Sequence, residues 1–265
     1  MDRKYIKTSD GQVHYRTEGT GEPVLLLHCA TLSSDEFSEV IPIIARRYLT
    51  LAMDLPGYGM SDKLPRKYSI EDYAQSVVNF MGTVAISKAS IVGSGSGSSI
   101  AGEIAITHPE RVDKLILSSC PYYTPKLREL RLKDQRFKSM EIKEDGSHLM
   151  KAWDYLRNYV FKSRPETWHR VVINYLQAGI DAEDVHQAVF RYKMEERLQL
   201  IKHPTLLISG EDDVNYNVLK IVKSLIPRSR TVLMDGAGIG GSIAKWEHPE
   251  AFSKLIMDFL ANSEV

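Results

Sequence analysis

The stretch Ser90-Ile91-Val92-Gly93-Ser94-Gly95-Ser96-Gly97 decides the fold. Ala89 to Gly93 reads as a short buried strand that runs straight into a glycine–serine turn. Ser98 to His108 then reads as a helix, stopped by Pro109. Strand, tight turn and helix in immediate succession put the turn at the carboxyl edge of a sheet, where ligands bind in α/β proteins. Nucleotide binding does not fit the glycines. The run lacks the last glycine of G-x-G-x-x-G, no acidic residue follows at the ribose offset in a strand-end context, since Asp113 precedes its strand, and no lysine follows as in a phosphate-binding loop.

Outward from the turn, strand-like and helix-like segments alternate. Pro23 to His28 and Lys114 to Leu117 are continuous apolar runs, the pattern of strands covered on both faces. Gln12 to Arg16, Tyr48 to Met53, Thr205 to Ser209 and Arg230 to Met234 read as further strands. Asp35 to Arg47 and Tyr68 to Thr83 read as helices, the second with Ser69 as its N-cap, and Pro249 to Leu260 as an amphipathic closing helix. Such alternation implies an α/β domain with a mostly parallel central sheet and helices on both faces. Residues 121–203 break the rhythm with helical periodicity, many charges and several aromatics. They are expected to form a helical cap inserted between two strands, with 1–120 and 204–265 forming the core.

The composition excludes several function classes. Lys+Arg and Asp+Glu are both 34 in 265 residues, so neither a nucleic-acid-binding basic excess nor an acidic tail is present. No apolar run approaches the ~18 residues of a membrane helix. Met1-Asp2-Arg3-Lys4-Tyr5 does not read as a signal peptide. Two cysteines make no disulfide framework, and no Cys/His cluster has zinc spacing. The expectation is a cytoplasmic protein with no metal or cofactor and a small molecule as its partner.

Four motifs in order resemble the α/β-hydrolase fold superfamily. They are Leu25-Leu26-Leu27-His28-Cys29-Ala30, Asp54-Leu55-Pro56-Gly57-Tyr58-Gly59-Met60-Ser61, the turn around Gly95, and Pro204 to Asp213. The tail Trp246-Glu247-His248-Pro249 is similar to that of meta-cleavage C–C hydrolases within the superfamily. The resemblance implies an oxyanion hole made by the amides of Ala30 and Ser96, an acid at Asp213, and a pocket between core and cap faced by Tyr122 and Tyr123.

Two positions depart from that pattern. Registered on Val92-Gly93, the nucleophile position is Gly95, which has no side chain. Counted back from Glu247, the histidine position is Ser242; registered on Gly236-Ala237-Gly238, it is Ile239. The expected constellation of Gly95, Asp213 and Ser242 is thus a degenerate triad. The turn residue of such an elbow has positive φ, costing a non-glycine residue roughly 1–3 kcal/mol, so glycine relaxes the turn rather than breaking it.

Ser94 and Ser96 flank the vacant position, and read either as substitute nucleophiles or as satisfying backbone groups of the turn. Cys29 stands where the family has glycine. It and Cys120 end the strands on either side of the elbow strand, two strand spacings or roughly 9–10 Å apart, too far for a disulfide. Both read as small buried hydrophobes. His28 reads as structural, His108 as a helix cap, and His248 as lying outside the pocket. Three functions stay open: an enzyme in which Asp213 places or deprotonates water, a non-catalytic binder of a small apolar ligand with an acyl or carboxylate group, and an interaction scaffold.

Overall fold

The computed structural model describes residues 1–134, 136, 140–157, 163–234 and 244–262. In chain order its elements are β1 (Asp2–Thr8), β2 (Gly11–Glu18), β3 (Pro23–Leu27), α1 (Ile41–Ile44), β4 (Leu49–Met53), α2 (Ile70–Thr83), β5 (Ala89–Ser94), α3 (Ser96–Thr107) and β6 (Val112–Ser118). Then follow α4 (Pro125–Lys133), α5 (Ser147–Arg157), α6 (Pro165–Ala178), α7 (Asp184–Arg191), α8 (Met194–Arg197), β7 (Thr205–Ser209), α9 (Leu219–Leu225), β8 (Ser229–Leu233), α10 (Ala244–Glu247) and α11 (Pro249–Ala261).

Among the described residues, eight strands form one sheet in the order β1-β2-β4-β3-β5-β6-β7-β8. The β1/β2 and β2/β4 pairs are antiparallel, and every pair from β4/β3 onward is parallel. Successive residues of the central strands feed opposite faces, as a period of two demands. Leu25, Leu27, Ile91, Leu115 and Leu117 enter one core cluster, while Val24, Leu26, Val92 and Ile116 enter the other. The chain leaves β3 toward β4 on one side and returns to β5 on the other. The crevice at this switch, outside the carboxyl ends of β3 and β5, is where an open parallel sheet binds ligands.

The helix expected over 35–47 is broken. Ser34–Phe37 forms a single 3₁₀ turn, with the Ser33 side chain accepting from the Asp35 amide, and α1 is one turn long. Pro42 lies in that first turn, where its missing N–H costs nothing, so the helix restarts instead of continuing. Ser69 does cap α2, in a reciprocal box with Asp72. The Asp54–Ser61 motif is a folding device. The Asp54 carboxylate accepts from the amides of Ser34 and Met60, and pairs with His14 Nδ1 at 2.8 Å.

The segment between β6 and β7 holds α4 to α8. Buried and half-buried polar contacts fasten it to the sheet domain. Glu103 of α3 accepts from Tyr192 Oη at 2.5 Å and from Arg197 at 2.6 and 3.0 Å. Arg170 of α6 pairs with Asp35 and lies over the Trp246 ring at 4.7 Å.

Candidate functional site

Gly95 keeps the strained geometry of an elbow. Its φ is 52° and ψ −116°, between the end of β5 and the start of α3. A β-carbon here would collide with Cys29 Sγ and lie 3.3 Å from Cys29 Cβ. The thiol therefore fills the space in which an elbow side chain would begin. The Cys29 backbone is held tightly. Its amide donates to Glu36 Oε2 at 2.7 Å, and its carbonyl accepts from His28 Nδ1 at 2.8 Å and from the Leu32 amide at 3.2 Å. His28 Nε2 accepts from the Leu55 amide at 3.0 Å, and burial lowers the imidazole pKa, so the ring is a neutral clamp between two loops. Two residues further on, Gly97 permits α3 to sit on β3: a β-carbon there would meet the His28 carbonyl oxygen at 2.8 Å.

Ser94 does not line the crevice. Its hydroxyl donates to Glu36 Oε1 at 2.6 Å and lies 2.9 Å from Lys245 Nζ. Lys245 pairs with Glu36 at 3.1 Å, and both side chains are fully buried. The ammonium also lies 4.7 Å from the Phe252 ring centre. A charged pair in an apolar core is tolerated when each member is matched and hydrogen-bonded. Here the pair joins three loops: the one after β3 through Cys29, the elbow through Ser94, and the start of α10 through Lys245. Glu36 and Lys245 were not anticipated, and nothing in the sequence marks them, because charged residues 209 positions apart read as surface.

Asp213 follows β7 and is 5% exposed. Its Oδ1 accepts from Ser119 Oγ and from the Asn215 amide, both at 2.8 Å. Its Oδ2 is buried with no hydrogen-bond partner among the described residues. Burial raises its pKa above the ordinary carboxylate value, against the lowering effect of the Asn215 amide and Ser119. Ionisation is therefore disfavoured on folding, so Asp213's contribution to stability is full below the unfolded pKa and falls as pH rises through the folded one. Asp213→Asn is expected to unfold at a higher temperature than the parent near neutrality. The gap should close as pH falls into the carboxylate range. Thermal melts of both proteins between about pH 4 and about pH 8 check this, and a gap independent of pH would refute it.

A cavity of about 270 Å³ lies over the elbow, at the small end of ligand pockets, which run to roughly 300–1,000 Å³. Cys29, Ala30, Gly95 and Ser96 form its floor, with Ser119 and Asn215 beside them. The helical segment supplies Leu156, Val171, Val189 and Phe190, and Tyr122 and Tyr123 line it from the loop after β6. Thr31 and Ser119, at φ of 65° and 52°, are non-glycine residues in the left-handed region, and both line the cavity. Backbone strain of this kind concentrates at ligand sites.

The helical segment also brings Glu183 and His186 to the cavity wall, with His186 Nδ1 2.6 Å from Glu183 Oε2 and the imidazole stacked on Phe190. Sequence reasoning missed this pair; its i, i+3 spacing at a helix start was the available signal. Cys120 is buried outside the cavity, and burial pushes its thiol up to about 12. Neither cysteine forms a disulfide. Ser242 and Ile239 lie outside the described residues, but 235–243 contains no histidine in any register. Among the described residues, no group of three His, Cys, Asp or Glu side chains could hold a metal, and no helix is long and apolar enough to cross a membrane.

The α/β-hydrolase fold family model matches residues 22–239. The chain is 25% identical to the 2-hydroxy-6-oxononadienedioate/2-hydroxy-6-oxononatrienedioate hydrolase 2 of Pseudomonas putida, over 95% of this chain and 92% of that one. It is 26% identical to the 2-hydroxy-6-oxo-6-phenylhexa-2,4-dienoate hydrolase of Burkholderia cepacia, over 96% and 93%. Among solved structures it is similar to the enol-lactonase of Burkholderia xenovorans, with TM-score 0.83, 20% identity and coverage of 98% and 100%. A mutant of the meta-cleavage product hydrolase CumD superposes with TM-score 0.75 at 19% identity, covering 97% of each chain. With its sheet order, its elbow and a family match over most of its length, this chain belongs to the α/β-hydrolase fold family.

Proposed function

We propose that the protein binds a small, mainly apolar molecule carrying one carbonyl, ester or carboxylate group, in the cavity between the sheet domain and a helical cap, and does so without Ser-His-Asp chemistry. The observation that carries this is the cavity floor: an elbow with its backbone geometry intact, glycine at its vertex and a sulfur in the nucleophile's space. The amides of Ala30 and Ser96, the latter at the start of α3, serve as donors to the ligand's oxygen. Apolar walls take the remainder. The related hydrolases carry oxo and carboxylate groups in the names of their substrates, which fits such a polar head. An open cavity with strained residues on its wall favours a ligand over a scaffold role. Asp213 is absent from the cavity lining, which disfavours its placing a water on a bound carbonyl. The same reading keeps the protein in the cytoplasm, where its cysteines stay reduced.

Titration calorimetry with hexanoate and with a methyl ketone of similar length tests the reading. Saturable one-to-one binding is expected, lost in Val189→Trp, whose indole fills the cavity. Asp213→Asn should bind as the parent does and leave any slow ester cleavage unchanged. Absence of binding by both probes would overturn the reading, and cleavage that vanishes with Asp213 would return the site to water activation by that carboxylate.

A further inference from the structure

Resting on that ligand-binding reading, we infer that Cys29 is a nucleophile of the cavity, which accepts acyl groups from activated esters or thioesters onto its sulfur. Gly95 offers no side chain at the elbow, and Cys29 offers one on the neighbouring loop. The two are spatially complementary: the sulfur occupies the volume that a Gly95 side chain would need. The candidate reactive atom thus sits on the neighbouring loop of the crevice, against the N-cap of α3.

Three independent observations distinguish this thiol from an ordinary buried cysteine. Its position is fixed through the amide and carbonyl bonds to Glu36, His28 and Leu32, so the sulfur is presented on a rigid backbone. It lines a ligand-sized cavity, whereas Cys120 does not. Ser96, only 4% exposed, lines the same cavity, and its Oγ has no hydrogen-bond partner among the described residues. A buried hydroxyl left without a partner beside a thiol, with Glu183 Oε1 likewise without one on the same cavity's wall, points to a polar group brought by a ligand. The sulfur lies against Gly95, the N-cap of α3, a helix twelve residues long whose first-turn amides and dipole favour a developing oxyanion.

The step is balanced without any further reactant but water. Sγ forms a bond to the acyl carbon, and the carbonyl oxygen takes up negative charge against the amides of Ala30 and Ser96. The tetrahedral species collapses with cleavage of the acyl carbon–oxygen bond of the ester, or the carbon–sulfur bond of the thioester, and the leaving alkoxide or thiolate takes the thiol proton by way of solvent. Water then hydrolyses the thioester, releasing the acid and restoring the thiol.

Incubation with para-nitrophenyl butyrate, followed by intact mass and peptide mapping, tests the assignment. The expected result is a burst of nitrophenol with one butyryl group on Cys29, or Cys29-dependent turnover. Either should saturate with ester and be suppressed by hexanoate. Cys29→Ala should lose both adduct and burst; Cys120→Ala should keep them. Gly95→Ala supplies a second variant, since its methyl group competes for the sulfur's space, and it too should lose the burst. Prior alkylation of the wild-type protein at Cys29 by iodoacetamide gives the same readout without any substitution. If the wild type binds hexanoate but is never acylated at Cys29, or if the burst survives in Cys29→Ala, the nucleophile is overturned and the binding reading stands. If neither hexanoate binding nor an adduct is seen, both fall.

Discussion

Lys245→Met is expected to lower stability by about 3–5 kcal/mol, the cost of leaving one member of a buried ion pair uncompensated. For a chain of this size such a loss moves the thermal midpoint by roughly 10 °C, read by differential scanning calorimetry. Glu36 sets this cost. Its carboxylate would keep the Ser94 hydroxyl and the Cys29 amide as donors, at 2.6 and 2.7 Å, but would lose the ammonium at 3.1 Å in a site without solvent. The double variant Lys245→Met with Glu36→Gln should recover most of the loss, because the amide oxygen still accepts from Cys29 while the orphan charge disappears. Unfolding of the four proteins forms a cycle, and a strongly negative coupling between the two substitutions is expected. Additive effects, or a Lys245→Met protein as stable as its parent, would show that the pair does not hold the core. Because Glu36 also holds the Cys29 amide, Lys245→Met should loosen the cavity floor and weaken hexanoate binding.

The parts of the molecule legible in its sequence are those governed by local pattern. Continuous apolar runs at Pro23–His28 and Lys114–Leu117 became β3 and β6 in the parallel part of the sheet. The turn around Gly95 placed the crevice, because a strand that feeds a helix through so few residues fixes the direction of both. Misread residues are those whose roles depend on distant partners. Asp35 to Arg47 has helical spacing, yet Pro42 restarts the helix, and Glu36 is drawn inward by Lys245, whose partnership only the folded chain reveals. Ser94 reads as a crevice residue because it adjoins the vertex. On a strand end, however, neighbours point to opposite faces, and its hydroxyl goes to the buried pair instead. Glu183 and His186 escaped notice for a related reason. In a charged helical segment a Glu–His pair reads as surface, and only the packing of that segment over the sheet turns it toward the cavity.

Gly95→Ser, which returns the family's usual residue to the vertex, is expected to damage the protein rather than revive a hydrolase. At φ of 52° and ψ of −116°, a side chain carries roughly 1–3 kcal/mol of backbone strain. In the family that strain is tolerated with a glycine in the adjacent loop; here the new Cβ meets Cys29 Sγ, and overpacking adds about 1–3 kcal/mol more. With its backbone held by Glu36, His28 and Leu32, Cys29 can relieve the clash only by swinging its sulfur to another rotamer, away from the packing it has now. Adding Cys29→Gly should remove the overpacking and leave the strain, so the double variant should unfold between the single variant and the parent. Neither variant is expected to show para-nitrophenyl ester turnover: Gly95→Ser displaces the Cys29 sulfur, the double variant lacks it, and 235–243 offers the new serine no histidine. Urea unfolding of the three proteins checks the order of stability. A Gly95→Ser protein as stable as the parent would show that the thiol moves aside freely, and the complementarity between positions 29 and 95 would then carry no energetic weight. The opposite order of the two variants would mean that Cys29 stabilises the loop by packing alone. In the expected order, the absence of a side chain at the vertex is what makes room for the cysteine beside it.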